Sequence, residues 1–157
     1  MRLTIRTELA MRTLMYCAIN DGRTVRKQEI AVATAASESH LAQVIHMLAQ
    51  EGYLRTTRGR NGGLKLAEPM HSITLGAVAR RMEGRAPLAM CFPGGTNSCP
   101  LKPGCRLRPV LVRALEAFFT VLDEVTLRDL VDDNSVLRDI LTPQADTGSC
   151  AAAVPAR

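Results

Sequence analysis

Three cysteines, Cys91, Cys99 and Cys105, follow one another as Cys-x7-Cys-x5-Cys in a stretch rich in glycine and proline. Such a stretch resists helix and strand, so three thiolates on it can converge on one centre without a regular element opposing them. A structural zinc ion would take a fourth Cys or His, and none lies between residues 72 and 149 beyond these three. Three soft donors with one position left over favour a reactive iron–sulfur cluster, [2Fe-2S] or [4Fe-4S]. A zinc-stabilised structural adaptor and three free thiols are the other readings. Cys17 falls beside the apolar face of an N-terminal helix and reads as a small buried hydrophobe; Cys150 lies in a polar tail and carries no assigned role.

A second constellation is suited to a polyanion. Ser37, Ser39, His40 and Gln43 occupy the start and polar face of a short helix, where groups that read base edges in a major groove would sit, with Gln43 the foremost candidate. Arg58, Arg60 and Asn61 crowd a glycine-rich turn suited to phosphate contact or a narrow minor groove. His46 and His71 stand apart from the cysteines and read as structural. The charge follows the same division: residues 1–90 carry 13 Lys/Arg against 7 Asp/Glu, residues 91–157 carry 7 against 8, and the net is +5. No carboxylate pair, nucleophile with its base, or phosphate-binding glycine loop marks an enzyme.

These residues need positioning elements. Met11, Leu14, Met15, Ala18 and Ile19 predict an amphipathic helix over Glu8–Asn20, with Thr7 as N-cap and Asp21-Gly22 as its stop. A short extended piece at Val25 leads to a weak helix over Gln28–Thr34. Ser37 then caps a helix whose inward face is Leu41, Val44, Ile45 and Leu48 and which Gly52 ends. Two short helices about a tight turn form a helix-turn-helix, and Tyr53–Thr57 with Leu64–Leu66 form a hairpin behind it, signalled by Asn61-Gly62. Thr74 caps a further helix, Leu75–Glu83, closing at Gly84. Beyond the cysteine loop, Leu111, Ala114, Leu115, Phe118, Leu122 and Val125 line a long helix that a second subunit would cover. Thr126 to Asp129 open a last short helix in capping-box fashion.

The core has only two Tyr, three Phe and no Trp to draw on, so it must be aliphatic, and the fold class is mainly α. We expect a winged helix-turn-helix DNA-binding domain over 1–84 and a cysteine-rich cluster-binding loop over 85–109. A dimerisation helix and a short C-terminal helix over 110–141 precede a disordered tail, 142–157. The N-terminus lacks a signal peptide and no apolar run is long enough to span a membrane, which places the chain in the cytoplasm with reduced cysteines.

With these motifs in place, the sequence resembles the winged-helix iron–sulfur repressors that include NsrR, IscR and RirA. The likeness runs from Met1 to about Leu141. It rests on the opening Met-Arg-Leu-Thr, Leu14 to Ala18, the wing Arg58 to Leu66, the cysteine triplet, and Ala117-Phe118-Phe119 through Thr126 to Leu130. It implies a homodimer on a double-stranded operator, with the three cysteines as cluster ligands. IscR-like members have a histidine three residues after the last cysteine, where this chain has Arg108. NsrR-like members use a carboxylate near the start of the first helix, lent across the dimer, and Glu8 stands there in place of the usual Asp. Glu8 and the segment Leu122 to Leu127 imply nitric oxide as the signal and nitrosative-stress genes as the target. A RirA-like, iron-responsive repressor of iron-uptake genes with the same cluster is the other reading.

Overall fold

A computed structural model describes residues 3–83, 89, 91–92, 95–96 and 98–143. Gly84, parts of the cysteine loop, Cys150 and the tail from 144 onward lie outside the described residues. The first helix, α1 (Ile5–Ile19), starts three residues before the point that its apolar periodicity indicates. Thr4 is its N-cap, the hydroxyl accepting from the Thr7 amide at 3.4 Å. Thr7 is no cap: it is fully buried and donates its hydroxyl to Glu83 Oε1 at 2.5 Å, an oxygen that also accepts from the Thr4 amide at 2.6 Å. A carboxylate thus meets the positive end of the α1 dipole.

Six further helices and one small sheet follow among the described residues. They are α2 (Lys27–Ala33), α3 (Glu38–Gln50), β1 (Leu54–Thr57), β2 (Gly63–Leu66), α4 (Leu75–Glu83), α5 (Leu107–Asp123), α6 (Leu127–Val131) and α7 (Ser135–Leu141). The mainly α, winged helix-turn-helix class expected from the sequence is the one observed. The long apolar helix begins at Leu107, and the expected last short helix is two, α6 and α7, separated at Asp133, whose φ of +52° breaks helical continuity.

α1 is the central post of the fold. It packs on α3, α4, α6, α7 and β2, and Leu9, Ala10, Leu14, Tyr16, Cys17 and Ala18 are all buried. A helix enclosed on several sides buries more than one stripe: beside the expected Leu14 and Ala18 it encloses Leu9, Ala10, Tyr16 and Cys17, while the expected Met11, Met15 and Ile19 are half-buried. Around it close Ile30 of α2, Leu41, Val44 and Leu48 of α3, Val78 of α4 and Leu127 of α6, an aliphatic core as the composition requires. Truncating one of these, Leu48 for example, costs about 2–5 kcal/mol in comparable cores.

The sheet is antiparallel, pairing Leu54 with Leu66 and Thr57 with Gly63. Val25 adds a third rung, donating to Leu64 O at 3.0 Å and accepting from Leu64 N at 2.8 Å. Gly63 is required for that approach, since a Cβ there would collide with the Val25 carbonyl and the Thr24 side chain. The wing is thereby tied to the segment that opens the helix-turn-helix.

Candidate nucleic-acid interface and cysteine loop

The turn between α2 and α3 holds Ala35 at φ +50° and closes through Ala36 N donating to Ala31 O at 3.0 Å. Leu41, Val44, Ile45 and Leu48 anchor α3 inward as the periodicity indicates, leaving Ser39, His40, Gln43 and His46 exposed. Ser37 occupies the N-cap position, but its hydroxyl makes no capping bond; it lies 2.8 Å from the hydroxyl of Ser39. Lys27 pairs with Glu38 at 2.9 Å and joins the starts of the two helices.

His46 is the residue that the sequence reading missed. Ser39, Gln43 and His46 stand at i, i+4 and i+7 on one exposed helix face, so His46 is not a packed structural histidine. The signal was available, because His46 falls outside the buried set 41, 44, 45 and 48. His71 is exposed as well, on a 3₁₀ turn, Met70–Ser72.

The wing loop is five residues, 58–62, one fewer than the turn between the expected strands, because Gly63 joins β2 and pairs with Thr57. Gly62 N donates to Gly59 O at 2.9 Å, which makes Arg60 and Asn61 the central pair of a turn, with Gly59 at φ +106°. Arg58, Arg60 and Asn61 are all exposed, and neither arginine is paired with a carboxylate among the described residues.

The three loop cysteines lie on the connection from α4 to α5, half-buried and free. Short-range turns hold the segment locally: Lys102 N donates to Cys99 O at 3.3 Å, and a 3₁₀ turn over Lys102–Gly104 delivers Cys105 two residues before α5. Among the described residues no group of three or more His, Cys, Asp or Glu is assembled around a common point. By donor chemistry the set fits an iron–sulfur centre, three unpaired soft sulfurs on an irregular segment; as a closed zinc site it lacks a fourth donor. Glu8 is exposed on the first turn of α1 and 3.7 Å from Arg12. Arg108 is exposed at the start of α5. Cys17 is fully enclosed, and burial pushes its thiol up to about 12, so it stays neutral and unreactive.

α5 differs from the stripe expected of it. None of its residues is buried; Leu111, Leu115, Phe118 and Leu122 are half-buried within the protomer. The outward apolar line is Leu107, Val110, Ala114, Ala117 and Val121, with spacings of three and four residues. A shallow groove there is lined by Val110, Arg113, Ala114, Glu116 and Ala117. The sequence pattern merges two apolar faces, one turned to the protomer and one to the outside. At its other end α5 is joined to α4: Arg80 grips both oxygens of Asp123, at 2.6 and 2.5 Å, and sits 4.7 Å above the Phe119 ring. That guanidinium holds the Asp123 carboxyl below the usual carboxylate range.

Comparison with known proteins agrees with this architecture. Residues 3–133 match the family model Rrf2, described as an iron-dependent transcriptional regulator. The HTH-type transcriptional regulator NsrR of Geobacillus kaustophilus is 44% identical over 142 residues, covering 90% of this chain and 97% of that protein. NsrR of Oceanobacillus iheyensis is 41% identical over 138 residues, covering 87% and 94%. The solved structure of CymR, the global cysteine regulator of Bacillus subtilis, superposes with a TM-score of 0.65 at 26% identity, covering 83% of this chain and 96% of that one. These relatives are regulators and not enzymes, and among the described residues no helix is long and apolar enough to cross a membrane. The chain belongs to the Rrf2 family of DNA-binding transcriptional regulators.

Proposed function

We propose that this regulator is a homodimeric repressor that senses nitric oxide through an iron–sulfur cluster held by Cys91, Cys99 and Cys105, with Glu8 of the partner subunit as a fourth ligand. The observation that carries the reading is the position of the three free, half-buried thiols. They lie on the segment that joins the DNA-reading module, through α4, to the exposed helix α5. A change in what those thiols hold is therefore felt where module and helix meet. When bound, an iron–sulfur cluster supplies iron atoms open to attack by nitric oxide, most readily at a hard carboxylate ligand. An exposed Glu8, loosely paired with Arg12, is free to reach across a dimer interface. The NsrR name of relatives up to 44% identical supports nitric oxide as the signal.

The protein's part is to present two reading heads. Ser39, His40, Gln43 and His46 on α3 face base edges, Ser37 stands at the helix entry, and Arg58, Arg60 and Asn61 contact backbone or minor groove. The self-complementary line on α5, small at Ala114 and Ala117 and edged by Arg113 and Glu116, seats a second copy across a two-fold axis.

An iron-responsive repressor is the second reading, favoured by the family's iron-dependent description. Protein purified without oxygen, and a duplex that it selects from a randomised library, separate the readings. Nitric oxide is expected to abolish binding to that duplex at once, while an iron chelator acts only as the cluster drains. Loss of binding with chelator but not with nitric oxide would establish the iron reading, and a colourless zinc protein would end both. Arg60→Ala is expected to weaken binding by on the order of 1–2 kcal/mol and to reduce the slope of log affinity against log salt by about one. An unchanged slope, measured by salt titration, would remove the wing from the interface.

A further inference from the structure

We infer that the contact between α4 and α5, built from Gly76, Arg80, Phe119 and Asp123, sets the separation of the two reading heads and thereby selects the half-site spacing of the operator. The inference rests on the α5-mediated homodimer proposed above.

Four observations bear on it. Asp123 lies so close against Gly76 that a Cβ at position 76 would collide with its carboxylate. Arg80 grips that carboxylate through both oxygens and covers the Phe119 ring, so its guanidinium is fixed from two directions. Backbone bonds brace the same end of α5: Leu75 N donates to Val125 O at 2.9 Å and Leu127 N to Ile73 O at 2.8 Å. All of these contacts fall on the last turns of α5 and the connection after it, whereas its first residues, Leu107 and Val110, are exposed. α5 is thus a rod whose polar and backbone ties to the DNA-reading module gather at one end, with Leu111 and Leu115 half-buried on its inner face and Leu107, Val110, Ala114 and Ala117 turned outward.

A rod so fixed converts angle into distance. The 17 residues of α5 make a helix about 25 Å long. Turning it by about 10° at the joint displaces its far end by about 4 Å, close to the rise of about 3.4 Å per base pair of DNA. If the outward face of α5 meets its copy, the angle at the joint decides how far apart the two α3 helices stand. Two half-sites are accepted only at the spacing that this separation matches. The bidentate pair and the glycine contact leave the joint little freedom, and a firm joint yields one spacing.

In vitro selection from a randomised duplex library tests this, with half-site spacing as the readout. A loss of folding stability lowers affinity at every spacing and leaves the preferred one unchanged, so spacing reports geometry. The wild type is expected to recover essentially one spacing, and an added base pair should cost tenfold or more, on the order of a mismatched pair. Arg80→Ala and Gly76→Ala, which loosen the joint from opposite sides, are expected to recover several spacings, with discrimination below about threefold, under half a tenfold step in free energy. Asp123→Asn, which keeps shape but loses charge, should fall between. Arg80→Lys, which keeps the charge, covers the case that the alanine variants fail to fold, and should broaden the selection less than Arg80→Ala. An unchanged single spacing in the folded variants would overturn the inference while leaving the dimer intact. A monomeric wild-type protein in sedimentation equilibrium would overturn the dimer and this inference together.

Discussion

Cys99→Ala protein purified without oxygen is expected to be colourless and to bind the selected duplex about 100-fold more weakly than the wild type, about 2.7 kcal/mol. Cys91→Ala and Cys105→Ala should do the same. The expectation follows from donor count: three thiols are already one short of a full set, and a two-thiol loop cannot hold a cluster that three are needed to keep. A cluster that stays bound in these variants would show that the ligands lie elsewhere. Cys17→Ala is the control and should keep both colour and DNA binding, because Cys17 lies in the core on the inner side of α1, away from the cysteine loop in the sequence. Alkylation of the cluster-free protein at pH 8 is a second check. A thiol raised to about 12 yields almost no thiolate until the pH climbs toward that value, so Cys17 should remain unlabelled unless the chain is denatured. The half-buried loop thiols should be modified.

Ala114→Arg is expected to convert the dimer into a monomer and to abolish tight operator binding, a loss of about 100-fold or more. In the proposed homodimer that factor comes from linking two weak half-site contacts in one molecule. The variant places a charge in the middle of the outward line of α5, between Val110 and Ala117, where the proposed helix pair would leave no room for its solvation. The protomer itself should stay folded, because Ala114 is exposed and no residue of α5 is buried. Sedimentation equilibrium and circular dichroism together read the outcome. A variant that remains dimeric would move the interface off this face. Residual binding should keep its salt dependence per half-site, since Arg58 and Arg60 are untouched.

Much of this protein can be read from local chemistry. The inward face of α3, the Thr74 and Thr126 caps, the arginines on the wing and the spacing of the cysteine triplet are properties of neighbouring residues, and periodicity or composition exposes them. The family resemblance is carried by the same short segments. Other features depend on residues far apart in the chain. Thr7 looks like a cap until Glu83, 76 positions away, comes to accept its hydroxyl. His46 looks like packing until α3 is seated and its outer face is defined. The apolar residues of α5 form one stripe in the sequence, and only the seat against α4 divides them into a face for the protomer and a face turned outward.

The wing follows the same division. Its glycines and arginines announce a turn, but the length of the turn was decided by the pairing of Thr57 with Gly63 and by Val25 lying alongside. The cysteines are the limiting case. Their type and spacing determine which chemistry they can do, because softness and charge belong to the side chain itself. Their location between α4 and α5 also follows from sequence order, but how those two helices are seated is a tertiary fact: the contacts connect residues some forty positions apart, such as Arg80 and Asp123, which no local pattern contains.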